Sequence, residues 1–392
     1  MKKRLLPIVI VIVLLLSSCT QEVTEIGESG GVGINYVEGL ITFVDYDPLH
    51  EVNDEIYTDE YRSDYSMFLP YYSLCGDKYV MFGNNETVYY TDSSSDAVNF
   101  CDDPLCDHSK PGTCMESIGD FRNVIITDEG YTYFLSMFTI YRYSQDEMIC
   151  EIYAKFDLPV TRQFIMGKYL YAELSDYSLL RINLADDTAV VLPDKGLLGD
   201  GNTPYRGYIY SLESVTKNWV VSTNIVRYNA DFSEKEILVE NLRYDCFNPF
   251  MLYDDKLYYQ SEEKLYICSP DDTSDPEIIH NVKCFGINDE YLFIQRPEQL
   301  PGAWGMEYGE RYQSTIETGN KIYYAPVNKT DSFELLVQMP DTEGVQLTCY
   351  TLESTERYVY MFVDEYTDYN LVTILYRYDL KTRKLIRTSS YM

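Results

Sequence analysis

Histidine is nearly missing from this chain: His50, His108 and His280 are the only three among 392 residues, and they lie far apart in sequence. No H-E-x-x-H pair, Walker loop or dinucleotide fingerprint is present, so the sequence carries none of the chemistries those motifs serve. Cations are scarce too, with 31 Lys and Arg against 63 Asp and Glu and a formal charge of -32. Nucleic-acid phosphate is held by clustered basic side chains, so no nucleic acid is expected as a partner. Docking on an anionic bilayer through a basic surface is excluded on the same ground. Tryptophan occurs twice. Beyond Leu16 no apolar run approaches the ~20 residues of a membrane-spanning helix, and helical periodicity is almost absent.

What is present begins with an address. Lys2, Lys3 and Arg4 precede the apolar stretch Leu5 to Leu16, which is too short for a comfortable membrane span and ends in Leu16-Ser17-Ser18-Cys19. This segment resembles a bacterial lipoprotein signal. The resemblance implies that residues 1–18 are removed, that Cys19 is lipidated, and that the protein sits on the extracytoplasmic face of the cell membrane. An ordinary secretory signal or an uncleaved anchor is the other reading. Cleavage would remove three cations and no anions, leaving 28 minus 63, or -35. Residues 19–35 then read as the lipidated cysteine and a flexible polar tether. Within it, Gly27-Glu28-Ser29-Gly30-Gly31 matches the G-x-S-x-G pattern of a nucleophile elbow. That motif needs a strand-to-helix turn, which a Gly-rich leader does not supply, so the match is taken as chance.

The remainder is all-β in pattern: short runs rich in Tyr, Val, Ile and Leu, separated by Asp, Asn, Gly and Ser. Two strand types recur. The first is DKYVMF from Asp77, GYTYFL from Gly130, GKYLYAEL from Gly167, GYIYSL from Gly207, DKLYYQ from Asp255, DEYLFI from Asp289 and ERYVYMF from Glu356. The second follows each of these: VYYTD from Val88, IYRYS from Ile140, LLRIN from Leu179, IVRYN from Ile225, LYICS from Leu265, IYYAP from Ile322 and LYRYD from Leu375. Copies of the second lie roughly 39 to 57 residues apart, room for four short strands each. Residues 36–392 are therefore expected to form one β-propeller domain of about seven four-stranded blades, with six or eight as the neighbouring counts. Two tandem sandwiches are the alternative, but they do not require one repeat to run from residue 77 to 379. Forty tyrosines suit stacked blades, because the ring fills the space between sheets while the hydroxyl reaches a polar rim. Val37–Asp45 is expected to close the ring by pairing with the last blade.

Val88-Tyr89-Tyr90-Thr91-Asp92 and its relatives are similar to the YWTD-type repeats of low-density-lipoprotein-receptor propellers, with tyrosine in place of tryptophan. Over roughly residues 67 to 390 the chain resembles Tyr-rich, lipid-anchored propeller proteins of Gram-positive anaerobes. Receptor propellers of the YWTD type have six blades against the seven repeats here, and most copies lack Thr-Asp after the aromatic pair.

The densest constellation of reactive side chains is Cys101, Cys106, His108 and Cys114, a C-x4-C-x-H-x5-C run. Three thiolates and an imidazole suffice for a closed tetrahedral zinc site, which would serve stability and leave no position for substrate. Disulfide bonding among the three cysteines and unbridged thiols in a loop are the other readings. The lipoproteins just named have a similar Cys-Pro-Cys-His segment. No cofactor is required, and structural zinc is one reading of this run. The other cysteines, several within apolar strand patterns, read as buried free thiols. Arg142, Arg181, Arg227 and Arg377 recur in the second strand type. They are either a converging ring or, more simply, one solvated face. Pro297 to Asn320 is the largest insertion, and its Trp304, Tyr308 and Tyr312 are candidates for a sugar- or peptide-stacking platform. An insertion that folds over the disc and buries its own aromatics is the plainer reading. The turn Asp271 to Asp275 lacks the ligand spacing of a calcium loop.

These features favour a non-enzymatic binding or scaffolding module for a peptide, protein or glycan at the cell envelope. A carbohydrate-active hydrolase or lyase using acidic residues near a central channel is the alternative, and an accessory subunit of an envelope complex is a third. Mass spectrometry of gently purified, unreduced protein tests the zinc reading. Bound metal supports it, whereas metal-free protein with a mapped disulfide among Cys101, Cys106 and Cys114 overturns it.

Overall fold

The structure, a computed structural model, describes residues 36–46, 72–75, 78–83, 86–90, 98–99, 123–126, 131–144, 149–192, 200–217, 220–244, 246, 249–296, 298–307, 310–318, 320–340, 346–366 and 371–387. Among them every regular element is a strand, and no helix is long and apolar enough to cross a membrane.

The two repeated strand types are the middle strands of four-stranded antiparallel sheets that follow one another along the chain. The first sheet is Tyr72–Cys75, Lys78–Gly83, Glu86–Tyr90 and Val98–Asn99, and the second is Asn123–Ile126, Tyr131–Ser136, Thr139–Ser144 and Ile149–Phe156. The third comprises Val160–Met166, Tyr169–Leu174, Leu179–Asn183 and Thr188–Val191, and the fourth Asp200–Tyr205, Tyr208–Lys217, Val220–Asn229 and Lys235–Leu242. Phe250–Tyr253, Lys256–Ser261, Lys264–Ser269 and Asp272–His280 make the fifth. The sixth is Cys284–Ile287, Tyr291–Gln295, Lys321–Pro326 and Glu334–Gln338, interrupted between its second and third strands by a separate hairpin, Glu298–Glu307 with Glu310–Thr318. Gln346–Ser354, Tyr358–Tyr366, Leu371–Asp379 and Lys384–Arg387 form the seventh.

Each sheet touches the next through its first strand, from Tyr72–Cys75 round to Gln346–Ser354. First strands therefore lie innermost and the sheets stack face to face about them, which is the arrangement of a β-propeller. The apolar core is accordingly divided among the seams. Leu135, Ile140 and Tyr153 of the second sheet meet Ile165, Leu170 and Ile182 of the third. Phe164, Tyr171 and Val190 meet Ile209 and Phe232 across the third–fourth seam. Tyr210, Leu212 and Ile225 meet Phe250, Leu257 and Tyr259 across the next. The fifth–sixth and sixth–seventh seams are filled in the same way. From the second sheet onward the middle strands are largely buried on both faces, so their sequences are almost continuously apolar and stand out as a repeat.

The N-terminal segment departs from the expected ring closure. Tyr36–Gly39 adds antiparallel to the outer strand Ile149–Phe156 of the second sheet, and Thr42–Phe43 adds parallel to the outer strand Thr188–Val191 of the third. This strap does not pair with the seventh sheet. It covers two outer edges that would otherwise present unpaired backbone groups, and it drops Ile41 into the seam between them. Tyr36 packs edge-on against Phe43 and Phe156, at 5.5 and 6.1 Å between ring centroids. The strap can lie this close because of Gly39. Its φ is +142°, and a Cβ there would sit 2.4 Å from the Tyr153 carbonyl oxygen. Gly39→Ala is expected to destabilise the protein by about 1–3 kcal/mol in urea melts. It should also release the amides of Leu40 and Thr42, which donate to Tyr153 and Asp187, before the sheets open in hydrogen exchange. Unchanged protection of these amides would contradict this account of the strap.

Candidate functional site

In a four-stranded meander the turns between strands one and two, and between three and four, fall at one end of the sheet. The turn between two and three and the crossing to the next sheet fall at the other. Stacking such sheets gives the disc two chemically different faces.

On the first face, side chains tie each described seam from the second sheet onward. Tyr153 of the second sheet donates its hydroxyl hydrogen to Asp187 in a turn of the third, at 2.9 Å. Tyr171 of the third donates to the Ala230 carbonyl in a turn of the fourth, at 3.0 Å. The Asp255 amide of the fifth donates to Tyr205 of the fourth, at 3.0 Å. Tyr253 of the fifth donates to the Asp289 carbonyl of the sixth, and Asn288 of the sixth to the Thr355 carbonyl of the seventh. Burial and the nearby Tyr133 and Asp187 raise the Tyr153 pKa, so it stays a neutral donor. The turns that receive Tyr153 and Tyr171 are pinned by Asp-x-Ser/Thr bonds, Asp186 to Thr188 and Asp231 to Ser233, and Asp272 to Ser274 pins the corresponding turn of the fifth sheet.

The four repeated arginines belong to this face, and neither sequence expectation for them holds. They sit on third strands, away from the innermost ones, so they do not converge on a centre. They are not solvated either: Arg181 and Arg377 are only 3% and 2% exposed. Each guanidinium lies over the tyrosine that begins the neighbouring second strand: Arg142 over Tyr131, Arg181 over Tyr169, Arg227 over Tyr208 and Arg377 over Tyr358, at 4.7 to 5.2 Å. Arg142 also pairs with Glu151 of its own sheet and reaches Asp187 of the next, and Arg227 does the same with Glu236 and Asp271. For Arg181, burial lowers the pKa while Tyr46 and Asp231, the latter again in the next sheet, work against the drop. Alternation along the strand fixed the side on which these residues lie. That this side is a seam was decided by stacking.

The opposite face is built differently. The hairpin Tyr208–Lys217/Val220–Asn229 has ten residue pairs in register, from Tyr208 with Asn229 to Lys217 with Val220. Tyr358–Tyr366/Leu371–Asp379 is nearly as long. The insertion of the sixth sheet is a third hairpin here, and its second strand touches the inner strand Gln346–Ser354 of the seventh. Shorter turns on this face expose apolar side chains: Met137 and Phe138 in the second sheet, and Tyr177 in the third. Tyr177 is 51% exposed and holds φ at +68°, an uncommon and costly backbone state for a bulky residue. Its amide donates to Leu174, while Asp176 accepts from the Ser178 amide and hydroxyl, so the turn is held from within. Sequence reasoning missed Met137, Phe138 and Tyr177, because nothing in a one-dimensional pattern separates a turn aromatic that is presented from one that is covered.

Of the residues singled out beforehand, Trp304 and Tyr312 lie on the two strands of the inserted hairpin, Trp304 opposite Gln313 and Tyr312 opposite Gly305. The hairpin thus brings them to neighbouring register positions. Tyr308, Cys19, Cys101, Cys106, His108 and Cys114 lie outside the described residues. Among the described residues no group of three or more His, Cys, Asp or Glu side chains is placed to hold a metal ion. The cysteines whose side chains are described, Cys150, Cys246, Cys268, Cys284 and Cys349, are buried thiols outside any disulfide, as their apolar surroundings in sequence led one to expect.

No family model matches the sequence. No curated protein matches it. Solved structures do. One is YCF48 bound to D1 peptide, at 12% identity over 71% of this chain and 82% of that chain, with a TM-score of 0.42. Another is the β-propeller domain of the Trilobed protease from Pyrococcus furiosus, at 11% identity over 81% of this chain and 97% of that one, with a TM-score of 0.43. A third is the N-terminal domain of Nup159, at 12% identity over 90% of this chain and 100% of that one, with a TM-score of 0.37.

The clasps differ in how much water they exclude, and this orders their strengths. Asp271 is 78% exposed, so its pairing with Arg227 contributes little. The guanidinium itself is mostly covered and stacked on Tyr208. Asp271→Asn is therefore expected to cost no more than about 0.5 kcal/mol. Arg227→Lys, which loses the planar stack and the paired donors to Glu236, should cost about 1–2 kcal/mol. Equal losses in urea titrations of the two variants would count against this ordering.

Proposed function

We propose that the protein is a lipid-anchored, extracytoplasmic binding module whose hairpin-bearing face docks a glycan or a protein of the cell envelope. One observation carries the reading, namely the division of labour between the faces. Tyrosine hydroxyls and arginines on one face are engaged in closing seams. The other face carries the long hairpins and the exposed Met137, Phe138 and Tyr177. Exposed apolar side chains grouped on a rigid scaffold mark an interaction surface, and a strained, presented tyrosine is a form of pre-organisation. Aromatic and thioether side chains suit the apolar face of a sugar or an apolar peptide side chain. The acidity of the chain disfavours polyanions. On this reading Cys19 carries the lipid, residues 19–35 give the disc its reach, and Trp304, Tyr308 and Tyr312 contribute to ligand binding.

The test uses a soluble form from Thr20 onward, immobilised and incubated with envelope polysaccharides and their oligosaccharides. Mass spectrometry follows both depletion and shortened products. Depletion without products is expected for a glycan receptor. Replacing Met137, Phe138 and Tyr177 together by Ser should weaken capture at least about tenfold while leaving the melting temperature nearly unchanged, since all three are exposed. New, shorter products would replace this reading with a hydrolase or lyase. Unaltered capture by the triple variant would move the site off this face. No depletion at all would turn the search to a protein on the same cell surface.

A further inference from the structure

The seam between the sixth and seventh sheets holds two thiols in contact. Cys284 lies on the innermost strand Cys284–Ile287 and Cys349 on the innermost strand Gln346–Ser354, 65 residues further along. Their sulfur atoms are 3.8 Å apart, and the Cys284 sulfur also lies 3.7 Å from the Cys349 carbonyl oxygen. Both side chains are sealed in the core between Phe293, Leu352 and Val363. A third thiol, Cys246, belongs to the same apolar cluster.

We propose that Cys284 and Cys349 are a redox-convertible pair, closing to a disulfide that joins the sixth and seventh sheets when the chain folds in the presence of a disulfide oxidant. The Cys284–Cys349 sulfur–sulfur bond forms as the oxidant's own disulfide breaks. Two electrons and two protons pass from the protein thiols, and the oxidant leaves as two thiols. Closure needs the sulfurs to approach by about 1.8 Å, to the ~2.05 Å of a disulfide, a movement that side-chain rotation on two adjoining strands can supply. The oxidant must arrive before the seam is sealed. Burial and the neighbouring Cys349 raise the Cys284 pKa well above the usual thiol range, so the thiolate that starts exchange is scarce in the folded state. The bond would tie two sheets that are otherwise held together by packing and by the Asn288–Thr355 hydrogen bond.

The full chain is unfolded, refolded with oxidised glutathione and, in a parallel sample, held folded with the same oxidant. Unreduced protein is then alkylated and digested with trypsin. Cleavage after Lys283, Arg311, Lys329 and Arg357 places Cys284 and Cys349 on separate peptides, and Cys246 falls on a third. A linked Cys284–Cys349 pair, two hydrogens lighter than the sum of its parts, is expected after refolding, together with a melting temperature several degrees above that of the reduced protein. Cys246→Ser should retain the link. Cys284→Ser should lose it and leave Cys349 open to alkylation after unfolding. A Cys284–Cys349 link in either sample supports the pair. Alkylated Cys284 and Cys349 in both samples, or a link from either one to Cys246 in place of the other, overturns it.

Discussion

Everything in this fold depends on tyrosine placed across the gap between two sheets. A four-stranded sheet of this composition has apolar side chains on both faces and cannot leave either in water, so each sheet must be covered twice. Burying a large aromatic side chain contributes about 1.5–3 kcal/mol, and tyrosine adds a hydroxyl that has to find a partner at the end of its reach. The observed solution sends that hydroxyl to a turn of the next sheet, as Tyr153 does to Asp187 and Tyr171 to Ala230. The ring fills the seam and the oxygen closes its rim. A phenylalanine would fill nearly the same volume and leave the turn unheld.

That constraint gives the disc its two faces. The turn at Asp187 receives both Tyr153 and Arg142, and the turn at Asp271 receives Arg227; an Asp-Thr bond holds the first and an Asp-Ser bond the second. Lengthening one of these turns would break a clasp. The other face carries no such obligation, so hairpins there are free to grow, as in the fourth, sixth and seventh sheets. Hairpin length varies on this face, and Met137, Phe138 and Tyr177 are exposed there.

The strap Tyr36–Phe43 answers a different problem. Outer strands present unpaired amides and carbonyls, and two of them are capped by chain from the N-terminus, one strand antiparallel and the next parallel. The switch in direction is made at Leu40 and Ile41, where the strap crosses from one sheet to the next, and the glycine just before it permits the close approach. The strap is thus bound into the rim of the disc.

The repeat, the all-β character and the pairing of the two middle strands of every sheet could be read from sequence. Strands buried on both faces must be apolar throughout, and tight turns must be written in Gly, Asp and Asn; both are one-dimensional constraints. Inner and outer strands were less legible. Lys235–Leu242 and Asp272–His280, wetted along much of their length, carry an ordinary polar mixture. The destination of the strap was not legible at all, because an edge strand reads the same whichever edge it joins. The arginines were misjudged for a related reason. Alternation tells which side of a strand a residue takes, and only stacking tells whether that side meets water or another sheet. The sequence by itself determined that this chain builds stacked four-stranded sheets with tyrosine between them. Tertiary structure alone decided which turns the tyrosines reach, which face is left free, and that Cys284 and Cys349 meet across a seam, since these follow from distances between residues far apart in the chain.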